Sequence, residues 1–139
     1  MTLVNVVTEA RTWLGTPYHH HARIKGVGVD CAQLLCAVYE ATGLVEHVDP
    51  GFYAVDWHLH HSTEMFVAWL DKYAVELPGG EPFVGGDVAL WKYGRCFSHG
   101  SIYAGNDLFI HSYLRLGVIE SRADEEPLQG REFRHWRFK

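Results

Sequence analysis

Cys31 is the side chain best placed to act as a nucleophile. It directly follows Asp30 and opens the run CAQLLCAVYEATG. A short acceptor side chain ahead of an apolar helical run reads as an N-cap, so Cys31 is expected in the first turn of a helix. Unpaired amides and the positive end of the helix dipole gather there, and both favour thiolate over thiol. Cys36 falls mid-helix in an apolar stretch, where cysteine is an ordinary small core residue. Cys96 reads as part of a loop ahead of a strand, and its context assigns it no role. A thiolate needs a base beside it, and the base needs a third group to orient its ring. His99 and His111 suit those tasks. They flank Gly105-Asn106-Asp107, a hairpin turn signal. Neighbours across such a pair of strands approach to about 5 Å, so the two imidazoles are expected to touch. The same placement also suits two histidines that merely decorate a sheet face.

Three further residues cluster ahead of Cys31. Tyr18 lies in the loop leading to it, so its hydroxyl is a candidate for the same site, or a packed tyrosine. His20 belongs to the run His19 to His21. Asp30 reads first as the helix cap. A rival constellation is His58, His60 and His61, of which the first and second share a face if that stretch is a strand. With His19 to His21 they form a candidate zinc or copper site. No C-x-x-C, H-E-x-x-H or calcium-type acidic loop is present, and the expectation is no metal and no cofactor.

The elements that must position these groups follow from periodicity. Leu3, Val6, Val7, Ala10, Trp13 and Leu14 recur at three and four, which predicts a helix over Leu3 to Leu14, stopped by Gly15-Thr16-Pro17. The helix after Asp30 buries Leu34, Leu35, Val38 and Tyr39 and stops at Gly43. A third helix is predicted over Ser62 to Tyr73, with Met65, Phe66, Trp69 and Leu70 on one face. Breakers cluster from Pro78 to Gly86. Beyond them the period becomes two in DVALWKY, SHGSIYAG, DLFIHSY, GVIESR and EFRHWRF. Helices first and an antiparallel sheet after them predict one α+β domain over residues 1–139.

Composition narrows the classes. The chain has 139 residues, 47% of them hydrophobic and 21% charged, a globular balance. Its net charge of −5 and its lack of a basic stretch argue against nucleic-acid binding. The longest apolar run, Ala32 to Tyr39, is too short to span a bilayer. The N-terminus has no basic-then-apolar pattern, so no signal peptide is expected. Three cysteines cannot all pair with one another, which is compatible with a reactive thiol.

Taken in order, the motifs resemble the NlpC-type cell-wall cysteine peptidases. GTPYHHHARIKGVGVDCAQLLCAVYEATG is similar to the nucleophile segment of that family, VGGDVALW to its glycine-aspartate strand, and SHGSIYAGNDLFIHS to its histidine hairpin. The resemblance covers most of Leu3 to Arg122 apart from Glu46 to Leu77. The Y-x-H-x-x-x-x-K-G pattern, with Asp56 and Trp57, resembles the subgroup found in phage tails and gene-transfer agents. It implies a papain-like fold with N-terminal helices on a C-terminal antiparallel sheet. It also implies Cys31 as nucleophile, His99 as base, His111 as orienting residue, and Tyr18, Asp30 and His20 on the oxyanion and substrate side. The implied substrate is a peptidoglycan stem peptide, cut at the D-glutamyl to diamino-acid link. Two departures stand out: Ala32-Gln33 replaces the usual serine-glycine, and Gly100-Ser101 replaces valine-glycine. An alternative within the same resemblance is a structural tail-tip component whose triad is vestigial or serves another acyl transfer. With no leader expected, and a net negative charge facing an anionic wall, the chain is expected to be made in the cytoplasm and carried to the wall by tail proteins.

Overall fold

The computed structural model describes residues 3–46 and 65–138. Among these residues three helices, α1 (Leu3–Arg11), α2 (Cys31–Ala41) and α3 (Met65–Tyr73), lie over a sheet. A small ladder, β1 (Arg23–Ile24) with β2 (Gly28–Val29), precedes α2. The main sheet contains β3 (Ala74–Leu77), β4 (Val88–Tyr93), β5 (Cys96–Tyr103), β6 (Leu108–Tyr113), β7 (Gly117–Arg122) and β8 (Phe133–Phe138). Its order is β3-β8-β4-β5-β6-β7, antiparallel at every described pairing. This is the expected α+β arrangement.

Local chemistry explains the element ends. At the start of α2, Asp30 accepts the Gln33 amide at 2.8 Å from an extended backbone, as an N-cap does. At its end, Gly43 takes a left-handed φ of 78°. The Gly43 amide bonds the Glu40 carbonyl and the Leu44 amide bonds the Tyr39 carbonyl, the double closure of a Schellman motif. The first helix stops earlier than expected, at Arg11. The next three amides, from Thr12 to Leu14, bond three residues back, so the last turn tightens out of α geometry. Residues 62–64 of the third expected helix lie outside the described residues, as do His58, His60 and His61, and with them the rival metal site. Among the described residues no group of three or more metal-ligating side chains comes together.

Two layers of core sandwich the sheet. On the helical side Val6, Leu34, Leu35, Val38 and Phe66 pack on Val88, Leu90, Ile102 and Ile110. On the other side Ala89, Trp91, Phe109 and Leu128 form a second cluster with Phe83. Residues 88–91 of β4 are therefore buried on both faces, not alternately. β3 was not expected from sequence. It is a four-residue edge strand with exposed Val75 and Glu76, zipped to β8 from Ala74 opposite Phe138 to Leu77 opposite His135. Its short run carries no period to read. Cys96, expected in a loop, is the buried first residue of β5.

Candidate active site

The turn between β5 and β6 forms as its composition predicts. Asn106 and Asp107 both take left-handed φ, 54° and 61°, which asparagine and aspartate tolerate better than most residues. The β5–β6 ladder pairs Ile102 with Ile110 and Tyr103 with Phe109. Continued, that register sets His111 against Ser101, not against His99. The histidines are diagonal neighbours on one face and meet through their rings: His99 Nε2 and His111 Nδ1 lie 2.7 Å apart. His111 Nε2 lies 2.9 Å from Ser121 Oγ on β7. Both rings are buried. The His99 ring is further confined edge-on by Tyr93 at 5.3 Å and Tyr113 at 5.4 Å between centroids.

Cys31 approaches from the start of α2. The β5–β6 ladder is described only near its turn, so Ser98 and Gly100, whose backbone groups point toward the β6 side, are available to another partner. The Cys31 sulfur takes that place. Its thiol donates to the Ser98 carbonyl at 3.7 Å, and the Gly100 amide donates to the sulfur. The nucleophile candidate thus rests on main chain either side of His99. In an imidazole Nδ1 is the nitrogen nearer its own main chain. His99 Nε2 faces His111, which sets Nδ1 on the side of its own strand.

The sequence-level expectation of a thiolate is corrected. Burial pushes the Cys31 thiol up to about 12, and the negative charge of Asp30 adds to the rise. Amides of Gly100, Ala32 and Cys31 pull the other way and do not win. A rise of three from the ordinary 9.0 is about 4 kcal/mol, against the ~1 kcal/mol typical of a helix N-terminus. Burial also lowers His111 to about 4, which keeps that ring neutral at pH 7.

Tyr18 is held beside Cys31 by backbone pairing with Val29: the Val29 amide bonds the Pro17 carbonyl, and the His19 amide bonds the Val29 carbonyl. Burial, then the proximity of Cys31 and Asp30, raises its phenol well above the usual range, so it stays a hydrogen-bond donor. Asp30 is buried and both its oxygens are engaged, Oδ1 by the Gln33 amide and Oδ2 by the His21 amide at 2.7 Å. It clamps the loop to the helix start. His20 stands at the exposed rim, its Nδ1 3.8 Å from Asp30. Gly117 closes the same corner: it has a φ of 76°, and a Cβ there would lie 2.5 Å from the Thr16 carbonyl oxygen.

Both departures from the family pattern have physical counterparts. Gln33 accepts from Arg23 Nε at 2.6 Å, and Arg23 also pairs with Glu40, so the glutamine ties β1 to α2. At Gly100 a Cβ would come within 2.7 Å of the Phe66 ring. Phe66 fills the space that a side chain at position 100 would need. Ser101 points to the other face, where it accepts from Trp91 Nε1 at 2.9 Å and donates to the Ala89 carbonyl at 3.0 Å. Sequence reading did not single out Ser121, Tyr93 or Tyr113.

No protein-family profile matches the chain, and no curated protein matches it in sequence. Solved structures do match. The chain is similar to the NlpC/p60 domain of the peptidoglycan hydrolase SagA, with a TM-score of 0.66 at 19% identity, covering 96% of this chain and 97% of that one. It is also similar to an NlpC protein of Trichomonas vaginalis, with a TM-score of 0.71 at 16% identity and 98% of this chain covered. A third is an NlpC/p60 family protein of Bacillus cereus, with a TM-score of 0.69 at 16% identity and 96% covered. The chain spans only 43% and 39% of the latter two. At these identities the likeness fixes the fold, which is that of NlpC/p60 domains.

Proposed function

We propose that this chain is a cysteine peptidase acting on the peptide part of peptidoglycan, with Cys31, His99 and His111 as its triad. The observation that carries the reading is the seat of Cys31 on the main chain flanking His99, whose far ring nitrogen is held by His111. That set supplies a nucleophile seated on the strand that carries the base, and an orienting group on the base's ring. The NlpC/p60 fold supports the substrate class.

The chemistry follows from the resting state. Because the thiol rests protonated, the proton must leave as the sulfur attacks. His99 Nδ1 takes it while the S–C bond forms at the amide carbonyl. The oxyanion that develops meets the Cys31 amide and the Tyr18 hydroxyl, where each such donor is typically worth ~3 kcal/mol. His99 then gives the proton to the departing amine as the C–N bond breaks, leaving a thioester. Water, deprotonated by the same nitrogen, releases the acid and restores the thiol. His111 stays neutral throughout. It stabilises the His99 imidazolium less than a carboxylate would, and its main task is to hold the ring.

The finer expectations extend this reading: cleavage between D-glutamate and the diamino acid, and delivery by a phage-like tail. Digestion of purified sacculi by the wild type and by Cys31→Ala, followed by mass spectrometry of the fragments, tests activity and bond together. Wild type is expected to release stem-peptide fragments ending in D-glutamate, and Cys31→Ala none. Equal release by both proteins would end the proposal.

A further inference from the structure

Ser121 lies outside the triad, yet its hydroxyl sits against the outer nitrogen of His111. Three serines are buried among the described residues. Ser101 and Ser112 hand their hydroxyl protons to main-chain carbonyls, of Ala89 and Val29. Ser121 instead faces a ring nitrogen, at 2.9 Å. It sits on β7 opposite Phe109, two residues along β6 from His111, and so on the face that carries both histidines.

The proton count along this row has only two solutions. In the first, His99 carries its proton on Nε2 and donates to a bare His111 Nδ1. His111 then carries its own proton on Nε2 and donates to Ser121 Oγ. His99 Nδ1 is left with a lone pair, as a base requires. In the second every bond reverses. Ser121 donates to His111, His111 donates to His99, and the His99 proton sits on Nδ1, where it blocks proton transfer from the thiol. A neutral imidazole has one donor and one acceptor nitrogen, so the two rings switch together.

We infer that Ser121 is a positioning residue: by accepting from His111 Nε2 it holds His111 in the tautomer that keeps the His99 proton on Nε2 and leaves Nδ1 able to act as base. The inference rests on the triad proposed above. It differs from a packing role because a methyl group could fill much of the same space but could not accept the bond. Without an acceptor, a buried Nε2–H is unpaired, and the second arrangement becomes the better one.

The test compares the full chain carrying Ser121→Ala, Ser121→Thr or Cys31→Ala with wild type. Long-range proton–nitrogen NMR reads the His111 tautomer directly, independent of turnover. Wild type and Ser121→Thr are expected to show the Nε2–H form, and Ser121→Ala a shift toward Nδ1–H. In steady-state hydrolysis of a stem peptide, Ser121→Ala is expected to lose about tenfold in kcat with KM little changed, and Ser121→Thr to recover most of it. An unchanged tautomer in Ser121→Ala overturns the inference, as does a kcat within about twofold of wild type. Equal defects in the alanine and threonine variants, with lowered Tm in both, assign Ser121 to packing and also overturn it. Activity retained in Cys31→Ala would instead strike the proposed triad, and the NMR result would still decide the role of Ser121 on the ring.

Discussion

The sheet carries two buried histidine systems whose partners differ in kind. At one end of β4, His135 Nε2 meets Asp87 Oδ2 at 2.7 Å. Asp87 also takes two bonds from Arg137, at 3.0 and 2.9 Å, and accepts the Val84 amide at 2.9 Å. Phe83 stacks on the His135 ring with 3.8 Å between centroids. On the neighbouring strands, His99 and His111 meet each other, with the uncharged Ser121, Tyr93 and Tyr113 packed around them. Asp87 must stay paired because it is fully buried, and it locks β8 and residues 82–84 to the start of β4. That system is built on the formal charges of Asp87 and Arg137. The other has a cysteine beside it and partners that can exchange protons without creating a buried charge at His111. Histidine burial alone therefore does not distinguish the two systems; the character of their partners does.

The largest effects should fall in opposite columns for the two systems. His99→Ala is expected to cut hydrolysis by roughly 10³-fold or more while leaving Tm near wild type. Asp87→Ala should do the reverse. It leaves Arg137 and His135 without their carboxylate, at a cost of about 3–5 kcal/mol and a fall in Tm of roughly 10 °C, with kcat retained at a temperature where the protein is folded. Loss of hydrolysis from Asp87→Ala at a temperature where it remains folded would break the contrast.

His111 supplies the next test, by pH. Its folded value of about 4 lies below the ordinary 6.5. The unfolded chain therefore binds the extra proton first. The stability from keeping His111 neutral is fully present above pH 6.5 and is lost as pH falls toward 4, by at most roughly 3 kcal/mol. Thermal melts across that window should show a steeper decline for wild type than for His111→Asn. Parallel declines would remove His111 from the account of acid sensitivity.

The smallest expected effect concerns the resting pair. With the thiol pushed up to about 12, Cys31 should alkylate slowly at pH 7 and keep accelerating past pH 9. A plateau below pH 7 would show a preformed thiolate–imidazolium pair and make this system the charged one after all.

Much of this was legible from the chain. The N-cap at Asp30, the stop at Gly43, the Asn106-Asp107 turn and the change of period from helical to two all rest on local backbone chemistry. A few residues suffice to express it. Cys31 and His99 could be singled out because a helix start and a hairpin turn are local signals. Ser121 and β3 were not. A serine in GVIESR matters only through a ring that folding brings to it from β6, and β3 exists only because β8 offers it a ladder.

The sequence by itself determined the helix cap, the stops, the hairpin turn and the change of period, since caps, turns and periodicity act within a few residues. The tertiary structure decided the protonation. It shielded the half-buried Cys31 from water enough for desolvation to outweigh the helix terminus. It also set His99 and His111 on a diagonal so that their rings, not their backbones, meet. Charge state depends on what surrounds a group in space, and neighbours in space are not written in neighbours along the chain.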